Sequence, residues 1–245
     1  MIQSVQRAAA ILEYIALQGG AGISELSREL QLNKSTVFSL VKTLEGLGFV
    51  FKNERTENYQ ATYRLRTLAD ASQDSRSIIS FARPWLEKLQ QKYDETVHFV
   101  RLQEHMVVYL EKLESNKSIR IHSDIGGTMP LHCTGVGKAI LAWQSEEIVE
   151  EFIRESGLPA MTSHTIRKAD ILKEELRRVR AQGFSIDDEE NQDDLYCIGV
   201  PVFGRNQEVT YAISLSIPKY RKDEIDLSEA VQDLRETARE ISKFF

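Results

Sequence analysis

The stretch "NKSTVFSLVKTLEGLGFV", residues 33–50, opens on small polar residues and a lysine, continues with helical spacing, and breaks at a glycine before an aromatic, strand-like run. At about 100° per residue Val37, Leu40, Val41, Leu44 and Leu47 fall on one stripe. Ser35, Phe38, Ser39 and Lys42 point the other way, with Lys34 and Thr36 near the helix start. A face that only meets water has little reason to carry this set, because serine is a modest helix former and an exposed phenylalanine costs solubility. In the major groove of a duplex the same residues have uses. Hydroxyls reach base edges or phosphates, Phe38 lies against a thymine methyl, and the helix N-terminus with Lys34 attracts phosphate.

Upstream, residues 4–17 place Val5, Ala8, Ala9, Leu12, Ile15 and Ala16 at helical spacing behind Ser4 as a cap, and "GGAG" at 19–22 ends that helix. A second helix starts at Ser24 with Ile23, Leu26 and Leu30 inward, and "QLNKS" leaves room only for a turn before Asn33 or Ser35 caps the third. Downstream, Phe49 and Phe51, then Tyr59, Ala61, Tyr63 and Leu65, alternate around a polar tip and read as a hairpin. Helix, helix, turn, helix, hairpin is the order of a winged helix-turn-helix. Its wing carries Lys52 and Arg55 for a nucleic-acid backbone, flanked by Glu54 and Glu57, so the helix is expected to contribute more than the wing.

The chain has 245 residues, 42% hydrophobic and 28% charged, enough for one large core or two ordinary ones. A net charge of −6 argues against a chain wrapped whole in nucleic acid. Residues 1–70 hold eight Lys and Arg against seven Asp and Glu, leaving 23 against 30 for the remainder, so contact with an anionic partner falls to the first segment. Cys133 and Cys197 sit in unlike contexts and offer neither a disulfide framework nor a zinc site; both read as small buried apolar residues. No window approaches the roughly eighteen uncharged apolar residues of a membrane span, and no cleavage site follows the mildly apolar start, so a cytoplasmic protein is expected. His98, His105, His122, His132 and His164 show no ligand spacing and read as structural; neither a metal nor a cofactor is expected.

After Leu65 the sequence looks helical, with Pro84 expected to interrupt the helix and restart one bearing Trp85, Leu86 and Leu89 as a hinge. Strands are expected at 96–103, 107–113 and 118–123, helices near 134–143, 145–155 and 168–181, strands again at 184–187, 195–203 and 209–217, and a closing amphipathic helix from about 226. Strands grouped around helices indicate an α+β fold with a mainly antiparallel sheet. In the last two strands Ile213, Leu215 and Ile217, with Ile198, Val200 and Val202, give one greasy face. Ala212, Ser214 and Ser216, with Cys197, Gly199 and Pro201, give a face of small and hydroxyl-bearing residues that suits a concave cavity for a small polar ligand. "TGVGKA" is placed to close such a cavity, since Gly135 and Gly137 permit close backbone approach. It is not a P-loop: His132 stands where the first glycine belongs, and alanine follows the lysine. The acidic run "DDEE" by itself reads as a solvated turn.

Three separated blocks, "KSTVFSLVKTLEGLGFV", "PLHCTGVGKAILAW" and "GFSIDDEENQDDLYCIGVPVF" with "AISLSIP" after it, resemble the IclR family of bacterial transcription regulators in order along almost the whole chain. The resemblance implies a winged helix-turn-helix DNA-binding domain over 1–66, a linker helix over 67–83, and an effector-binding domain over 84–245 with an antiparallel sheet flanked by helices (GAF/profilin-like). It implies DNA contacts from Lys34, Ser35, Thr36, Phe38, Ser39, Lys42, Lys52 and Arg55. The family often has proline where Asn33 stands and arginine where Ser39 stands, so this recognition helix departs from the pattern. It further implies a small-molecule site at Gly135, Val136, Asp187, Cys197, Ser214 and Ser216 with Ile121 and Met129 as apolar walls. The implied partners are a palindromic double-stranded operator, a small organic or sugar acid, and a second copy of the chain in a homodimer that in relatives often becomes a tetramer. "ETVHFVRLQEHMVVYLEKLES" is similar to the branch controlling sugar-acid uptake and breakdown.

Two other functions compete. A sensor module acting through a protein partner would keep the cavity and lose the operator. A cysteine-dependent enzyme would need a base beside its thiol, and His132, adjacent to Cys133 in the chain, is poorly placed to serve as one.

Overall fold

A computed structural model describes residues 2–71, 73–117, 121 and 123–245, and the chain divides into two compact units, residues 1–73 and 74–245. The strand expected at 118–123 falls largely outside the described residues, as does His122.

The first unit contains α1 (Gln3–Leu17), α2 (Ile23–Glu29), α3 (Lys34–Gly46), the hairpin β1 (Val50–Lys52) and β2 (Tyr59–Ala61), and α4 (Arg64–Ala71). Its core is Ile11, Ile15, Leu26, Val37, Val41, Leu44, Val50 and Tyr59. Ala21, in the glycine-rich loop after α1, exchanges backbone hydrogen bonds with Tyr59 at 3.0 and 2.9 Å, so the loop that ends α1 also anchors the wing. Several expectations shift by one or two positions. Ser4 does not cap α1, since Ile2 holds that place and the helix starts at Gln3. The core reaches only the second half of α1, which leaves Val5 exposed and makes Ile11 an inner residue. Leu47 is 52% exposed because α3 ends at Gly46, after which the helical angle no longer applies. Phe49 still donates its amide to Leu44 in the turn, so the strand begins at Val50; Val50 therefore faces inward with Tyr59, and Phe51 faces out.

The second unit is a three-layer α+β fold. Its six-stranded sheet has the order β5-β4-β3-β8-β7-β6, antiparallel throughout, from β3 (Thr96–Gln103), β4 (Met106–Leu113), β5 (Thr128–Pro130), β6 (Ser185–Asp188), β7 (Leu195–Phe203) and β8 (Val209–Pro218). The edge strand β5 is three residues long and has no alternation to announce it. The helices are α5 (Gln73–Tyr93), α6 (Gly135–Leu141), α7 (Glu146–Ser156), α8 (Ala169–Gln182) and α9 (Leu227–Ser242). The greasy face, with Phe99, Ile198, Val200, Ile213, Leu215 and Ile217, buries against Ala82 and Leu86 of α5 and Ala230 and Leu234 of α9. Val100 and Ala212 on the opposite face pack with α6, α7 and α8. Pro84 does not interrupt its helix. It and Ser80, whose carbonyl loses its backbone donor, both lie on the exposed side of α5, and the helix continues to Tyr93.

The α6 helix touches the sheet through two glycines. A Cβ on Gly199 would lie 2.4 Å from the Gly135 carbonyl carbon and oxygen, and one on Gly135 would lie 3.3 Å from the Gly199 nitrogen. Ser185 Oγ, also on this face, donates to the Gly135 carbonyl and locks the contact. Gly199→Ala is therefore expected to lower the unfolding free energy by about 3 kcal/mol through overpacking, as read by denaturant titration. Gly46→Ala, at the end of α3 with nothing within 4 Å, provides the control without overpacking and is expected to be neutral or to stabilise by up to about 1 kcal/mol.

Candidate functional site

The outer face of α3 emerges intact. Lys34, Ser35, Phe38, Ser39 and Lys42 are exposed and Thr36 is half-buried; half of Phe38 meets solvent. Asn33 occupies the N-cap, yet its side chain makes no capping bond, so the first-turn amides keep their capacity for an anion. The cations are tied only loosely. Lys42 Nζ donates to Glu45 at 2.6 Å, and in the wing Lys52 pairs with Glu57, while Arg55 is exposed at the hairpin tip with its backbone amide on Asn53 Oδ1. Exposed pairs of this kind contribute at most about 1 kcal/mol, so a phosphate can replace the carboxylate cheaply.

The second site lies on the polar face of the large sheet. Strand register sets two rows across it: Asp187, Cys197, Ser216 and Thr96, and beside them Ser185, Gly199, Ser214, His98 and Lys112. Gly135 and Val136 at the start of α6 close over these rows. Ile121, Met129, Gly135, Val136, Asp187, Cys197, Ser214 and Ser216 all line one cavity, joined by His98, Tyr109, Thr134, Asn191, Gln192 and Leu195. The space is tight: about 20 Å³ is open to the centre of a water molecule, room for one or two waters. Wider hollows of about 460 to 530 Å³ open elsewhere on the second unit. Two of them lie among exposed ion pairs such as Lys173–Glu150 and Lys92–Asp233, and none gathers convergent buried polar groups.

His98, read from spacing as structural, also lines this cavity. It is 2% exposed, and its Nε2 lies 2.8 Å from Ser123 Oγ while Nδ1 lies 3.5 Å from Ser214 Oγ and 3.3 Å from Ser216 Oγ. Burial, helped by the nearby Lys112 charge, pushes its value down to about 3, so the ring is neutral. Strand parity carried the signal, since Thr96 and His98 share a face.

The acidic run is not a solvated turn throughout. Asp187 Oδ1 accepts from the amides of Glu190 (2.8 Å) and Asn191 (3.3 Å), and Glu190 pairs with Lys138, the fully buried lysine of "TGVGKA". Glu175 of α8 stands 3.6 Å from the same ammonium, and Thr165 Oγ1 donates to the Glu190 carbonyl at 2.6 Å. The lysine thus closes an internal ion pair and grips no phosphate. Thr134 caps α6 by accepting from the Gly137 amide at 3.1 Å.

Neither thiol is armed. Burial pushes Cys133 up to about 12 and Cys197 well above the ordinary thiol value. Cys133 faces Asn191 Oδ1 at 3.8 Å, and His132 turns its Nε2 to the Pro159 carbonyl at 3.0 Å, so no base serves a nucleophile here.

Burial, then the charge of Glu190, lifts Asp187 out of the usual carboxylate range to about 7, against the opposing pull of Lys138 and the two amides. A carboxyl raised on folding stabilises most below its unfolded value near 4, and that contribution is lost as pH rises through 7. Asp187→Asn keeps the oxygen that accepts from the two amides. Relative to the wild type it is expected to gain stability between pH 4 and pH 8, by a few kcal/mol at the upper end, in denaturant titrations across that range.

Known proteins resemble the chain over nearly its whole length. The model of the bacterial transcriptional regulator IclR C-terminal domain matches residues 71–243, and that of the IclR helix-turn-helix domain matches residues 4–54. The HTH-type transcriptional regulator KdgR of Dickeya chrysanthemi is 35% identical over 241 residues, covering 98% of this chain and 79% of that protein. The crystal structure of the Thermotoga maritima IclR superposes with a TM-score of 0.84 at 28% identity, covering 100% of this chain and 99% of that one. An IclR homolog from Microbacterium hydrocarbonoxydans, complexed with 4-hydroxybenzoate, shares the fold with a TM-score of 0.80 at 22% identity, over 98% of both chains. No described helix is long and apolar enough to cross a membrane. With its helix-turn-helix and its sheet-and-helix second unit, the chain belongs to the IclR family of bacterial transcriptional regulators, DNA-binding regulators and not enzymes.

Proposed function

We propose that the chain is a repressor that binds a palindromic operator as a homodimer and releases or tightens on it when a small organic or sugar acid enters the cavity of the second unit. One recognition helix reads too few base pairs for specificity, and two copies one duplex turn apart, or a multiple of it, read an inverted repeat. The single observation that carries the reading is the gathering of Asp187, Cys197, Ser214, Ser216 and the start of α6 around one buried polar cavity, in a chain whose α3 keeps Ser35, Phe38, Ser39 and Lys42 free of its own core. The Microbacterium homolog held with an aromatic acid supports an acid as ligand. A ligand of several carbons must widen the space, and the operator affinity then changes by the ligand's preference between the two states.

The operator is found by selecting bound duplexes from a random library. A thermal-shift panel of sugar acids and aromatic acids then finds the effector, because a ligand of the native state raises the melting temperature. Failure to enrich any duplex, with or without acids, would sink the DNA-binding half. Ser35→Ala combined with Lys42→Ala is expected to weaken duplex binding about tenfold or more and to reduce the salt slope by roughly one unit. The acid-induced thermal shift should stay unchanged.

A further inference from the structure

We infer that His98 is a specificity-determining residue of the cavity: held as the Nε2–H tautomer, it consumes the hydroxyl of Ser216 and reserves the hydroxyl of Ser214 as a donor for the ligand. The inference rests on the cavity being the effector site, and it follows from counting protons around one imidazole.

Three protons crowd the Nδ1 side of the ring, those of Cys197 Sγ, Ser216 Oγ and Ser214 Oγ. The Cys197 thiol lies 3.1 Å from Ser216 Oγ and donates to it. Ser216 Oγ lies 3.3 Å from Nδ1 and Ser214 Oγ 3.5 Å from the same atom. A neutral imidazole nitrogen without hydrogen has one lone pair and takes one proton donor. If Nδ1 carried the hydrogen, both serine hydroxyls would be left seeking acceptors inside a buried site, at a cost of about 1–3 kcal/mol each. With the hydrogen on Nε2 the chain closes. Cys197 donates to Ser216, Ser216 donates to Nδ1, and Nε2–H donates to Ser123 Oγ at 2.8 Å. The surrounding groups agree. Burial and Lys112 exclude the imidazolium, which would make both nitrogens donors, and Lys112, the cross-strand neighbour of His98, holds the Ser123 carbonyl at 2.8 Å so that its hydroxyl stays in reach of Nε2.

One hydroxyl proton is left over, that of Ser214, on the cavity wall. The atom of a ligand that meets it must be an acceptor, such as a carboxylate or carbonyl oxygen. Asp187 lines the same cavity and, once ionised above its raised value near 7, adds an acceptor, so the site then prefers a ligand with an oxygen acceptor at one end and a hydroxyl donor at the other.

The tautomer is read on the full chain by nitrogen-15 resonance spectroscopy of the histidine ring between pH 6 and pH 8. Nδ1 should be bare and Nε2 protonated throughout, with no titration; a protonated Nδ1, or a ring that titrates in this range, overturns the inference. The consequence is read by titrating the acid that stabilises the wild type. Ser214→Ala removes the reserved donor and should weaken binding about tenfold or more. Ser216→Ala hands Nδ1 to Ser214 and should weaken it to a similar degree. His98→Leu frees the Ser216 hydroxyl as a second donor and should shift the preference among the acids of the panel toward those with an additional acceptor oxygen, whereas His98→Asn, whose amide oxygen takes the place of Nδ1, should keep the wild-type preference. Full affinity in Ser216→Ala, with loss only in Ser214→Ala, would overturn the inference. If no acid of the panel stabilises the wild type, it is the effector reading of the cavity that fails, and the ring nitrogens still decide the tautomer.

Discussion

The second unit depends on one contact, the seating of α6 against β7 where Gly135 meets Gly199 with no side chain between them. Two backbones approach this closely only where both lack a Cβ. The contact fixes the height of the α6 start above the sheet, and that height sets the depth of the cavity beside it. A side chain on Gly199 would lift the helix and open the polar face to water, and one on Gly135 would press on the β7 backbone. Gly137 repeats the constraint one step along, since a Cβ there would fall 2.4 Å from the Leu131 carbonyl oxygen, so the segment that leads into α6 is pinned to its own first turn.

Legibility in the sequence followed the strength of the period. The elements of the second unit with long, clear alternation, β3, β4, β7 and β8, stand within a residue or so of where patterning puts them, and parity alone assigned Cys197, Ser214 and Ser216 to one face. Asp187 was legible only through the family resemblance, because a four-residue acidic run looks solvated until Lys138 and Thr165 are seen behind it. The errors came where one residue of offset inverts a face, as at Val50 and Phe51, or where helical angles were extended past a helix end, as at Leu47. Pro84 misled for another reason. The cost of a proline inside a helix is greatest where the bereft carbonyl is buried, and Ser80 and Pro84 lie on the exposed side of α5. The place of His98 in the cavity lining was not legible from metal-ligand spacing; it follows from the strand face that the residue occupies.

The polar groups of the cavity are expensive to keep dry, and the structure offsets the cost unevenly. Asp187 receives two amides, yet burial, and after it the nearby Glu190 charge, raises its carboxyl despite them. Lys138 faces Glu190 and Glu175 together, and one oxygen of each carboxylate, Glu190 Oε2 and Glu175 Oε1, is buried without a hydrogen-bond partner. Such arrangements are poor sources of stability, because desolvation consumes most of the Coulomb attraction. Their use lies in discreteness: a buried ion pair is made or broken as a unit, and intermediate positions are penalised.

That discreteness bears on how a ligand would be felt. Asp187 forms part of the cavity wall, and three residues on, in the turn whose amides it holds, Glu190 grips Lys138 of α6. A group that drew Asp187 toward the cavity would pull on the turn, and the turn carries the carboxylate that anchors α6 from beneath. The helix cannot drift in response, because the two glycines hold it against β7. It either keeps its seat or leaves it. The cavity wall and the helix that roofs it are thus two ends of one buried electrostatic link.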